Sequence, residues 1–200
     1  MKISHDIRRL QEIYNDNKMV PFIGAGLSKP FNLPDWKMLL VDLCNELIDD
    51  EDIQEMIKSS IEANKYWEAI EEIIEYSYKD ERYIQQMVAD IFNKSMITNI
   101  DSQDSNYVDL DSLEVPYYLT TNYDNLLGRS IKSNYQPTIL NISDGSTQIW
   151  ARDKVGKRVI HLHGDVANLG SIVLSRKSYE DIYTSCLLYT SPSPRDTERS

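Results

Sequence analysis

Two of the chain's three histidines stand two residues apart, in His161-Leu162-His163-Gly164-Asp165. An imidazole titrates near neutral pH, so a histidine at a reacting centre can take up or release a proton there. The side-chain period of a strand puts His161 and His163 on one face, with His161 about 7 Å further from the strand end and expected to stand aside from any chemistry. A second group is Thr120-Thr121-Asn122-Tyr123-Asp124. Asn122 carries both donor and acceptor atoms and suits a hydroxyl or a water. Asp124 either orients such a hydroxyl or caps the helix that follows, as residues of an Asx turn do. The third is Gly24-Ala25-Gly26-Leu27-Ser28. Glycines there allow a tight turn and a close approach of backbone amides to a phosphate. Lys29 and Pro30 follow in place of a third glycine, so the usual dinucleotide fingerprint is incomplete. Each group taken alone has a plain structural reading as a turn, a cap or a satisfied histidine.

Position is what unites them. Met19-Val20-Pro21-Phe22-Ile23 is an apolar run ending at the glycine turn. Val115-Pro116-Tyr117-Tyr118-Leu119-Thr120 ends at the Asn/Asp group, and a strand over 158–162 ends at the His-Gly-Asp group. In parallel α/β sheets the carboxyl edge of the strands is where ligands bind. Apolar residues at helical spacing predict helices over 3–17, 35–48, 62–78 and 80–97. Residues 101–114 hold five acidic side chains and predict a solvated loop. Beyond the second strand the pattern predicts a helix over 123–131, short strands at 138–142 and 148–150, an apolar stretch at 171–174 and a helix over 176–183. The reading is α/β, a Rossmann-like parallel sheet with flanking helices and a helical insertion between the first two strands.

Two hundred residues fit one domain. A net charge of −11 argues against a nucleic-acid surface, and no apolar run is long enough to span a membrane. The N-terminus lacks a secretory pattern, so a cytoplasmic location is the expectation. Cys44 and Cys186 supply neither a four-ligand zinc site nor a disulfide framework, and Cys44 reads as a small core residue. Residues 186–200, with two prolines and no period, are expected to be a non-native or disordered tail, leaving 1–185 as the domain.

With these motifs the chain resembles the sirtuin superfamily over about 17–184, more closely its bacterial sirtuin-like branch associated with antiphage defence. Gly24-Ala25-Gly26-Leu27-Ser28 is similar to the family's phosphate-binding turn, and Leu33-Pro34-Asp35-Trp36 to the cofactor loop after it. Thr121-Asn122-Tyr123-Asp124 is similar to the segment with the family's Asn and Asp, and Leu162-His163-Gly164 to that with its catalytic His. Residues 171–174 with Tyr179 resemble the strand and helix that come next. The zinc ribbon of the protein deacylases has no counterpart here, and Trp36 and Lys37 replace their Phe and Arg. The family's late Gly-x-Ser turn, on strands beyond residue 185, has none either.

The resemblance implies NAD⁺ as substrate, no metal, and hydrolysis to nicotinamide and ADP-ribose. It casts His163, Asn122 and Asp124 as catalytic. Gly24, Ala25, Gly26, Ser28, Asp35, Trp36 and Thr121 would hold the dinucleotide, with Trp36 either screening the reacting sugar or serving as a core residue. Nucleic acid and membrane are not expected partners, and any homo-oligomer would form through other regions. A dinucleotide sensor without activity, a deacylase and a domain with coincidental motifs are the competing readings.

Overall fold

The computed structural model describes residues 5–95, 106–131, 138–144 and 156–187. Among the described residues four short strands form one sheet, β1 (Phe22–Ile23), β2 (Tyr117–Thr120), β3 (Thr138–Asn141) and β4 (Arg158–His161). Their order is β1-β2-β4-β3 and every pairing is parallel. Parallel strands covered on both faces read as unbroken burial, and all of β4 is buried. At the other extreme β1 lies at the sheet edge, where Phe22 and Val20 are exposed.

Helix α1 (His5–Asn15) precedes the sheet and buries none of its residues; Ile7 and Leu10 of its apolar stripe are more than half exposed. One tie to the domain is Tyr14, which packs at the edge of the core and accepts a hydrogen bond from the Glu114 amide.

The helical insertion between β1 and β2 begins with α2 (Trp36–Leu47), α3 (Glu51–Glu62), α4 (Tyr66–Ser77) and α5 (Glu81–Ser95). Asp35 caps α2 by accepting from the Met38 amide, and Asp50 caps α3 by accepting from Asp52 and Ile53. Each such cap contributes about 1 kcal/mol. Leu39, Leu40 and Leu43 of α2 meet Ile57 and Ile61 of α3, Ile70 and Ile73 of α4, and Ile84 and Val88 of α5 in one core. Cys44 lies in it too, and burial raises its thiol pKa.

Three segments differ from the sequence expectation. Helix α3 was not anticipated, because its inward stripe is only Ile53, Ile57 and Ile61 amid polar residues. The acidic segment before β2 contains α6 (Tyr107–Asp111), whose Tyr107 is fully buried rather than solvated. Residues 171–174 are buried but form the end of a 3-10 turn and an irregular stretch rather than a strand. Helices α7 (Leu126–Ser130) and α8 (Arg176–Leu187) complete the fold, α8 running past the expected end at Tyr183. The strand expected at 148–150 and the tail from 188 onward lie outside the described residues.

Behind β4 the chain is locked by crossed bonds. The Tyr123 hydroxyl donates to the Val173 carbonyl, the Val173 amide to the His163 carbonyl, and the Val166 amide to the Tyr123 carbonyl. Gly164 sits in the middle with φ +82, and a Cβ there would lie 2.0 Å from the Ser171 carbonyl oxygen. Both backbone angle and space demand glycine. Gly164→Ala is therefore expected to cost about 3 kcal/mol or more, lowering Tm by roughly 6–12 °C for a chain of this size. Thermal melts of the two proteins check this, and an unchanged Tm contradicts it.

Candidate active site

The turns that leave β1, β2 and β4 face one cavity of about 430 Å³. Ala25 and Ser28 follow β1, Thr121, Asn122, Tyr123 and Asp124 follow β2, and His163 follows β4, all on its wall. Asp35, Trp36 and Leu39 at the start of α2 form another side, and Asn64, Tyr66, Trp67 and Glu68 before and within α4 a third. A volume of this size is ordinary for a small-molecule site.

Ser28 organises the floor. Its hydroxyl donates to Asp124 Oδ2 at 2.7 Å and accepts from Asn122 Nδ2 at 3.0 Å. The Tyr107 hydroxyl lies 2.8 Å away. A serine has one hydrogen to give, which goes to Asp124, so Tyr107 must donate. The Ser28 hydroxyl is thus satisfied within the protein, and its part in the site is to hold Asn122 and Asp124. Asp124 is almost wholly buried; that burial raises its pKa, against the Ser28 hydroxyl, the Leu126 amide and nearby His161. Asn122 is also buried, and its Oδ1 has no hydrogen-bond partner. A buried amide oxygen without a partner, in a residue of the cavity wall, is an acceptor whose bonding capacity the protein itself does not use.

The two histidines part company. Strand β4 ends at His161, which is fully enclosed, while His163 lies beyond it on the cavity wall, half-buried. Burial lowers the His163 pKa from 6.5, favouring the neutral ring that can accept a proton. Its ring meets Tyr179 of α8 edge-on at 6.2 Å, and Tyr179 in turn meets Trp67 at 5.6 Å. His161 makes a contact that strand spacing does not foretell. Its Nδ1 lies 2.9 Å from the Asn122 carbonyl oxygen.

The glycine turn is a 3-10 turn over Ala25–Leu27 with exposed Gly24 and Gly26 on either side of Ala25. Neither glycine has a positive φ, and a Cβ on either would meet nothing within 4 Å. Glycine there is not required by the backbone; it leaves open space over the turn. These two residues are not on the cavity wall itself, whereas Ala25 is. Asp35 accepts from Met38 as a cap and pairs with Lys29 at 2.9 Å, which lowers its pKa. Trp36 packs 6.1 Å from the Tyr123 ring and also reaches the cavity, so it serves core and wall together.

The sequence reading missed Tyr107, Tyr66, Trp67, Phe92 and Tyr179 as site residues. The aromatic residues of the insertion carry a core periodicity, and nothing in the order of residues shows that the insertion folds back over the strand ends. Tyr107 had one signal: a pair of apolar residues, Tyr107-Val108, inside an otherwise polar acidic run.

A family model described as SIR2-like domain matches residues 116–195. The chain is 27% identical over 180 residues to a protein named NAD(+) hydrolase ThsA from Enterococcus faecium, covering 87% of this chain and 33% of that protein. A protein of the same name from Cytobacillus dafuensis is 27% identical over 184 residues, again with 33% of its length covered. The chain thus spans about a third of these curated relatives. The matched region includes both later motif turns, and the parallel sheet beneath them is the one the motifs require. On fold and similarity together, the chain resembles SIR2-like domains over residues 116–195 and the two proteins named ThsA over most of its length.

Proposed function

We propose that the cavity binds NAD⁺ and that its walls hydrolyse the nicotinamide–ribose bond, releasing nicotinamide and ADP-ribose. The observation that carries this reading is the meeting of half-buried His163, the unpaired Asn122 Oδ1 and Asp124 on one cavity at the carboxyl edge of a parallel sheet. Similarity to proteins named NAD(+) hydrolases supports it. So do the exposed Gly24 and Gly26, over which a diphosphate would run with the amides of Gly24, Ala25 and Gly26 turned toward it.

When the C1′–N bond breaks, its electron pair neutralises the pyridinium nitrogen, so the leaving group needs no proton. The barrier lies in the oxocarbenium-like charge on the ribose and in delivering water to C1′. His163 takes the proton of that water as its oxygen bonds to C1′ and then returns it to solvent. Asn122 Oδ1 accepts from the water or a ribose hydroxyl and fixes its place. Asp124, held by Ser28, orients that network, and its buried carboxyl faces the developing positive charge. Thr121 and Asp35 border the dinucleotide, and Trp36 screens the sugar from bulk water. As written, the step uses no metal. The same reading sets the protein in the cytoplasm and in bacterial antiphage defence, with consumption of NAD⁺ as its effect. Among the described residues no helix is long and apolar enough to cross a membrane.

In the full-length protein, His163→Ala is expected to slow nicotinamide release by roughly 10²–10⁴-fold, the usual contribution of a positioned base, and Asn122→Ala to do comparable damage. Both should still bind NAD⁺ in calorimetry. Full activity in either variant removes that residue from the mechanism, and binding by the parent protein without release makes it a sensor.

The acid side of the rate profile follows from burial. Since the His163 pKa is lowered from 6.5, the base stays neutral through neutral pH and is lost only as pH falls through that lowered value. kcat/KM should be flat above about pH 7 and fall on the acid side, because this ratio reports ionisations of the free enzyme. An acid limb that begins above pH 7 argues for another base.

Gly26→Val should abolish NAD⁺ binding while leaving Tm nearly unchanged, since its side chain enters open space rather than the fold. Retained binding would move the diphosphate elsewhere.

A further inference from the structure

We infer that His161 is a positioning residue of this site: its Nδ1–H holds the backbone carbonyl of Asn122 and so sets the turn that presents Asn122 and Asp124 to the cavity. The inference rests on the hydrolase reading for its kinetic part, but its structural part stands apart from it.

The sheet itself explains why such a bond is needed. Thr120 pairs with His161 in the register of β2 and β4, and the last backbone rung between these strands is the Leu162 amide donating to the Thr120 carbonyl at 2.8 Å. Thr121 donates its amide to Ile23 on the opposite side, and the Asn122 amide turns back onto Thr120 Oγ1. The Asn122 carbonyl therefore lies beyond the ladder. The His161 ring supplies the rung that the backbone no longer does, at 2.9 Å.

The chemistry of the contact fixes its polarity. A carbonyl oxygen only accepts, so Nδ1 must carry the hydrogen. Nε2, at the far side of the ring, is buried and has no hydrogen-bond partner. With His161 fully enclosed, a phenylalanine would fill the same space without an unpaired nitrogen. A ring kept polar at that cost, with one nitrogen bonded, points to the bonded nitrogen as the reason. The held carbonyl belongs to Asn122, and Asp124 follows two residues on in the same turn. Loss of the bond frees the turn, and displacement of a reacting geometry by about 1 Å can cost around 10²-fold in rate.

Two side chains separate the nitrogens. The asparagine amide nitrogen is attached to Cγ, like His Nδ1, whereas the glutamine amide nitrogen lies one bond further out, like His Nε2. In the full-length protein His161→Asn is expected to keep kcat within a fewfold of the parent. His161→Gln and His161→Phe should each lower kcat by roughly 10²-fold with KM for NAD⁺ little changed. A general loss of packing would instead affect all three alike and would show in Tm. Equal kcat for His161→Asn and His161→Gln, or full activity in His161→Phe, overturns the proposal. Nitrogen NMR of histidine-labelled protein reads the bond directly, and the signals lost in His161→Asn assign the ring. The Nδ1–H tautomer upholds it and the Nε2–H tautomer overturns it. If the parent releases no nicotinamide, the hydrolase reading fails and the His161 bond is judged on the tautomer alone.

Discussion

A serine hydroxyl can give one hydrogen bond and take two, and Ser28 does all three inside the protein. That saturated hydroxyl ties the turn after β1 to Asn122 and Asp124 of the turn after β2, and to a tyrosine from the insertion. Burying the Asp124 carboxyl is unfavourable by itself, and the Ser28 and Leu126 bonds are what make its position tenable. The cavity depends on the arrangement: without Ser28, Asp124 and Asn122 would have no common partner, and Tyr107 would hold a buried hydroxyl without the partner it now has. Removing one member of such a network leaves the others exposed to the full desolvation cost, so the group behaves as a unit.

A second set of ties connects that unit to the histidine. Tyr123 sits between Asn122 and Asp124, packs its ring against Phe92, and bonds the Val173 carbonyl. Val173 returns to His163 through its amide, and Gly164 permits the close crossing. Asp165 closes the turn by accepting from Ala167 and Asn168 while Asn141 at the end of β3 donates to its other oxygen. The three strand ends are thus held to one another through side chains, and His163 is free to present its ring to the cavity.

Much of this was legible because strand ends are marked twice in a sequence, by apolar runs that stop and by the Gly, Asn, Asp and His that follow. The motif turns, the parallel sheet and the insertion between its first two strands could be read that way. Helix α3 could not, since three isoleucines four residues apart give a weak stripe. Tyr107 was hidden because its neighbours are acidic, and a tertiary contact with Ser28, far away in the chain, decides its burial. The His161 contact was illegible for a different reason: a period of two says which face a strand residue takes, but not that the strand stops at that residue with its ring against the carbonyl of the neighbouring turn. The role of the glycines needed the structure as well, for only the backbone angles show that Gly164 is required by conformation while Gly24 and Gly26 leave space.

The central claim is that the walls of this cavity hydrolyse NAD⁺ using water alone. The most direct measurement incubates the full-length protein with NAD⁺, with and without an acyl-lysine peptide, and quantifies nicotinamide and ADP-ribose. The account predicts equal amounts of the two products without peptide, and no acceleration when peptide is added. NAD⁺ that stays intact under both conditions, or is consumed only when the peptide is present, would contradict it.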